Sequence, residues 1–202
     1  MKFKNSVLLF ILLISFTMKA SFILLPMDET TQQNHLKAYG ITYWCLDKKY
    51  KASWLLNYRG GSFLLPDVEE IRKECQIRGV SFEVLSDAET NSILNDISSP
   101  SQNMENVILE KAPKVAVYTP KGKQPWDDAV TMVLTYAEIP FTPIYDEEVL
   151  SDGLLLYDWL HLHHEDFTGQ YGKFFGAYRN SPWYIEQKND AEKLALKLGY
   201  NK

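Results

Sequence analysis

Short runs of consecutive or alternating apolar residues recur along the chain, separated by stretches whose apolar residues fall three or four apart. The first pattern predicts strands and the second predicts helices. Residues 21–27 (SFILLPM) read as a buried strand. Asp28 follows as the N-cap of a helix over 31–46, with Leu36, Tyr39, Tyr43, Trp44 and Leu46 at roughly helical spacing. Gly40 inside that stretch costs about 1 kcal/mol relative to Ala, but the periodicity still favours one helix. Residues 53–57 (SWLLN) read as a second strand and 63–65 as a short apolar stub. Pro66 and Asp67 open a helix that runs to Arg78, acidic in its first turn and basic in its last, as the helix dipole favours; Gly79 caps it. Residues 80–85 (VSFEVL) alternate as a strand, and Asp87 caps a helix with Ile93, Leu94 and Ile97 on its apolar face. Residues 98–106 (SSPSQNMEN) read as a polar connection, which puts a lobe boundary near 98–112.

The second half repeats the alternation. Residues 114–118 (KVAVY) form a β-branched strand. After a polar loop, Pro125 suits the first turn of a helix whose stripe is Val130, Val133, Leu134 and Ala137. Strands follow at 141–145 and 157–163, then a short helical piece at 172–178. Ser181 and Pro182 open the last helix, which buries Ala191, Leu194, Ala195 and Leu198 and ends at Gly199. Strand–helix alternation along the whole chain predicts an α/β fold built on a mostly parallel, doubly wound sheet with helices on both faces, of the flavodoxin-like kind. In such a fold a helix is followed by another strand, so the sheet is expected to be truncated at the C-terminus of this chain.

Composition refines the picture. The chain has 202 residues, 46% hydrophobic and 23% charged, which fits a globular α/β domain over 21–202. A net charge of -5, with no basic run, argues against nucleic acid as a partner. Residues 1–20 read as a signal peptide: Lys2 and Lys4 precede the apolar run 7–16 (VLLFILLISF), which is too short for a span of roughly 20 residues, and Ala20 offers a cleavage point. The expectation is a periplasmic or secreted protein with no stable membrane span after cleavage, acting on a small-molecule or extracellular ligand. Cys45 and Cys75 can pair in an oxidising compartment; the expectation is instead two buried thiols on core-facing helices. His35 reads as a partly exposed helix residue.

The candidate chemistry centres on residues 157–172 (YDWLHLHHEDFTGQYG), which carry His161, His163 and His164 of the chain's 4 histidines. In an open α/β sheet, ligands bind beyond the carboxyl ends of the strands, where this stretch ends. His161 and His163 lie on one face of a strand, about 7 Å apart, close enough to share a zinc ion completed by Glu165 or Asp166. Alternatively His163, His164, Glu165 and Asp166 form a catalytic or ligand-binding loop without metal, or a purely structural one. Two further loops are candidate ligand sites: Arg59 with Gly60 and Gly61, where glycines permit close approach and Arg suits a carboxylate or phosphate, and the loop carrying Lys121, Lys123, Trp126 and Asp127 at a strand end beside a helix start. That second loop lacks Walker A spacing. Asp146, Glu147 and Glu148 either serve a metal or acid–base pair or simply start a short helix. No G-x-S-x-G elbow is present.

Several long motifs carry a family resemblance: SFILLPMDET near the start, SWLLNYRGGSFLL, KVAVYTPKGKQPWDDAVTMVLTYAEIPFTPIYDEEVL and LYDWLHLHHEDFTGQYGKFFGAYRNSPWY. Over nearly the whole of 21–202 the chain resembles an exported bacterial family labelled asparagine synthetase B, whose members continue beyond the length of this chain. The resemblance implies a class I glutamine amidotransferase-like α/β fold, in which a strand like Tyr157-Asp158-Trp159-Leu160 is typical, and an amide-handling activity. The literal activity, glutamine-dependent asparagine synthesis, calls for an N-terminal Cys nucleophile and an SGGxDS-type ATP loop. Here position 2 is Lys and no such loop occurs. An amide or ester hydrolase with its site on strand-end loops, or a non-catalytic extracellular binding module, fits the residues better.

Overall fold

The computed structural model describes residues 22–119, 129–162 and 171–200, with only the backbone of 171–174. The chain divides into two compact units, Met1–Lys111 and Ala112–Lys202.

The first unit is built on β1 (Phe22–Leu25), β2 (Ala52–Leu56), β3 (Ser62–Pro66), β4 (Glu83–Leu85) and β5 (Glu105–Leu109), with helices α1 (His35–Asp47), α2 (Glu69–Arg78) and α3 (Asp87–Ile97). Its sheet has the order β4-β1-β3-β2-β5, and every pairing is antiparallel. This corrects the expectation of a mostly parallel sheet. Residues 57–61 turn β2 directly into β3, leaving no room for a crossover. The helical crossovers β1–α1–β2 and β3–α2–β4 each step over one strand, so the parallel partners they join are separated by an antiparallel one. This is a ferredoxin-like split βαβ arrangement. The residues read as a short apolar stub are the central strand β3, in which Ser62, Phe63, Leu64 and Leu65 are all buried.

Alternation along the strands sends side chains to two covered faces. Leu24, Leu55, Leu64 and Leu85 pack with Ile97 of α3, which crosses this face on the way from β4 at one edge to β5 at the other. Phe63 and Trp54 point the opposite way, their rings 6.4 Å apart, and Tyr39 of α1 meets Phe63 edge-on at 5.2 Å. The helices α1 and α2 run antiparallel: Tyr50, just past α1, donates to Glu70, and Asn34, just before it, donates to the Gly79 carbonyl. Cys45 and Cys75 are free, fully buried thiols on these two helices, and burial pushes both up to about 12.

The two split halves echo one another. Ser-Phe-Ile-Leu-Leu-Pro leads into α1 and Ser-Phe-Leu-Leu-Pro into α2. Each helix ends four residues after its Cys in a left-handed residue, Lys49 (φ 68°) or Gly79 (φ 67°). The next N–H, of Tyr50 or Val80, then donates to the Cys carbonyl. Elsewhere boundaries shift by local chemistry. Ser86, not Asp87, caps α3 through a reciprocal box with Glu89. Residues 98–106, read as a polar connection, run into β5, which is set by its pairing with β2 rather than by apolar pattern.

The second unit holds β6 (Val115–Tyr118), α4 (Ala129–Ala137), β7 (Phe141–Ile144), α5 (Asp146–Leu150), a 3-10 turn (Gly153–Leu156), β8 (Trp159–Leu162), α6 (Tyr171–Tyr178) and α7 (Pro182–Lys197). Here the sheet is parallel, in the order β7-β6-β8. Val115 and Val117 pack against Leu134, with Val130, Ile139 and Phe141 around them, so α4 covers that face. Lys197 of α7 pairs with Glu147 of α5 at 2.8 Å.

Candidate functional site

The Arg59 turn owes its shape to glycine. Asn57 (φ 60°), Arg59 (φ 45°), Gly60 (φ 81°) and Gly61 (φ 91°) all occupy left-handed conformations. A Cβ on Gly60 would lie 2.4 Å from the Met27 carbonyl oxygen, and the Met27 N–H donates to the Arg59 carbonyl at 3.1 Å. The closely approaching group is therefore the end of β1. Arg59 donates through Nη1 and Nη2 to the two carboxylate oxygens of Glu83 (2.8 and 2.9 Å), through Nε to Asp28 (3.0 Å) and through Nη2 to Thr31 (3.3 Å). The sequence suggests an Arg available to a ligand; in the structure the fork engages Glu83 beside β1, tying three chain segments together.

Electrostatics agree with that role. Hydrogen bonds from Thr30 and Thr31, with Arg59 alongside, hold the Asp28 carboxyl well below the usual carboxylate range. Glu83 first and Asp28 second raise the Arg59 guanidinium further. Asp28 was expected to cap the first helix. It caps a preceding turn, accepting from the Thr31 N–H at 3.0 Å, while α1 begins later, after Asn34. Fully buried Gln32 fastens the same connection, donating to the Pro26 and Ser81 carbonyls and accepting from the Asn34 and Ser81 N–H groups. His35 lies with Nε2 3.1 Å from the Met27 carbonyl.

The other candidate region is the carboxyl edge of the parallel sheet. Val117 pairs with His161, and Tyr118 with Leu162, so β6 and β8 finish side by side. Thr119 N–H extends the other side of β6 by donating to the Ile144 carbonyl at 2.9 Å. His161 is half-buried on β8. At the end of β7 the three carboxylates take separate roles. Asp146 accepts from the Tyr118 hydroxyl at 2.5 Å, Glu147 pairs with Lys197, and Glu148 accepts from the Tyr145 N–H at the start of α5. The Tyr118 and Tyr145 rings stand 5.2 Å apart. The Tyr118–Asp146 bond was missed in the sequence; its one signal was an aromatic hydroxyl ending a strand and a carboxylate opening the helix after the next.

Lys121, Lys123, Trp126 and Asp127, and likewise His163, His164, Glu165 and Asp166, lie outside the described residues. The suggested zinc pair is therefore represented by His161 alone, and among the described residues no three His, Cys, Asp or Glu side chains cluster as a metal site. No described helix is long and apolar enough to cross a membrane.

Fold and site together define a mixed α/β protein of two units, one antiparallel and one parallel. No family model, curated protein or solved structure matches the chain.

Proposed function

We propose that this chain is an exported α/β protein that binds a small molecule at the carboxyl edge of its parallel sheet and hydrolyses an amide or ester there. The observation that carries the reading is the strand order β7-β6-β8. The chain leaves β6 toward β7 on one side, then crosses back to β8 on the other. The connection leaving the carboxyl end of β6 thus goes to one side while β8 lies on the other, an arrangement that supports a switch point between β6 and β8, where open α/β sheets bind ligands. Right-handed crossovers put α4 on one face and the β7–β8 connection on the other. The packing of α4 on Val115 and Val117, and the Lys197–Glu147 pair between α7 and α5, agree with a doubly wound, flavodoxin-like or amidotransferase-like second unit. In sequence, Lys121, Lys123, Trp126 and Asp127 follow β6, and His163, His164, Glu165 and Asp166 follow β8. The resemblance to the family labelled asparagine synthetase B supports the same amide-handling chemistry and the periplasmic or secreted location. Zinc shared by His161 and His163 would supply an activated water.

The test uses the mature protein from Ser21, exported without an affinity tag. About one zinc per chain by elemental mass spectrometry, lost in His161→Ala and His163→Ala, supports the metal-dependent form. Hydrolysis of simple amides or esters that disappears in His163→Ala or Glu165→Ala, with the melting temperature held within a few degrees, supports the hydrolase. Parallel loss of activity and stability sinks it. A ligand-induced thermal shift without turnover assigns the edge to a binding module instead.

A further inference from the structure

We draw no further inference here: the strongest candidate, the outer edge of β8 with exposed Trp159 and Leu162 and the exposed Leu155 and Leu156 of the turn before it, is an apolar strand edge, and nothing in the structure shows what covers it.

Discussion

The two units solve the same problem, covering both faces of a sheet, with different completeness. In the antiparallel unit Ile23, Leu24, Leu25, Leu55 and Leu65 are all but fully buried, and helices lie on both faces. Among the described residues of the parallel unit the central strand, with Val115, Ala116 and Val117, carries most of the burial, joined by Leu134, Ala137 and Ile144. Trp159 remains 49% exposed and Leu155 86% exposed, and no residue of α7 is buried. Parallel strands are ordinarily buried on both faces, so a three-stranded parallel sheet leaves its outer strands short of cover. Stability should therefore concentrate in the first unit, while the proposed chemistry belongs to the second.

The sharpest way to break this contrast is in the cores. Leu65→Ala should cost about 2–5 kcal/mol. Val117→Ala in β6 should cost less, about 2 kcal/mol, because fewer atoms are lost. Denaturant titrations of both variants decide; losses in proportion to the atoms removed would mean that the parallel unit is packed as tightly as the antiparallel one, and a smaller loss per atom at Val117 would support the contrast.

Two glycines offer a cleaner pair, since Gly60 and Gly199 share φ 81°. Gly199 has open space where a Cβ would go, whereas at Gly60 a Cβ meets the Met27 backbone. Gly199→Ala should cost no more than the about 1–2 kcal/mol of a left-handed residue. Gly60→Ala should cost that and the displacement of β1 besides, read as a larger drop in melting temperature. A milder Gly60 variant would show that the turn can move away from β1.

Within the first unit the two half-repeats differ at their helix ends. Lys49→Gly, placing glycine where Gly79 already stands in the other half, should stabilise by about 0.5–1 kcal/mol. No gain in denaturation midpoint would show that the two helix ends are not equivalent.

The smallest effect is electrostatic. The folded-state pKa of Asp28 is depressed, so its contribution is present above the unfolded value of about 3.9 and is lost as pH falls through the folded value. Melting temperature should fall more steeply below about pH 4 in the natural protein than in Asp28→Asn. Parallel profiles would remove Asp28 from the clasp.

Much of the secondary structure was legible in the sequence. Gly79 at the end of α2, the strand 114–118 and the helix α4 all depend on neighbours within a few residues, and the structure contains each of them, although of the α4 stripe Leu134 and Ala137 are buried while Val133 stays exposed. The misreadings share a cause. The segment 63–65 looked too short to matter, yet pairing on both sides makes it the central strand β3. Glu105 and Asn106 looked like linker, yet β2 holds them in register. The sequence also does not show that Glu83, Asp28 and Met27 come to meet Arg59 and its glycines. Of the proposed catalytic and ligand-binding residues, those after β6 and β8 rest on strand-end chemistry in the sequence alone.

By itself, then, the sequence determined where most of the helices and the strongly apolar strands form, because periodicity, caps and breakers act over a turn or two of chain. Strand direction was decided only by tertiary structure. A crossover helix reads the same whether it lands on the adjacent strand, as in β6–α4–β7, or one strand further away, as in β1–α1–β2. Only the strand that fills the gap, and the apolar face it completes, tells the two apart.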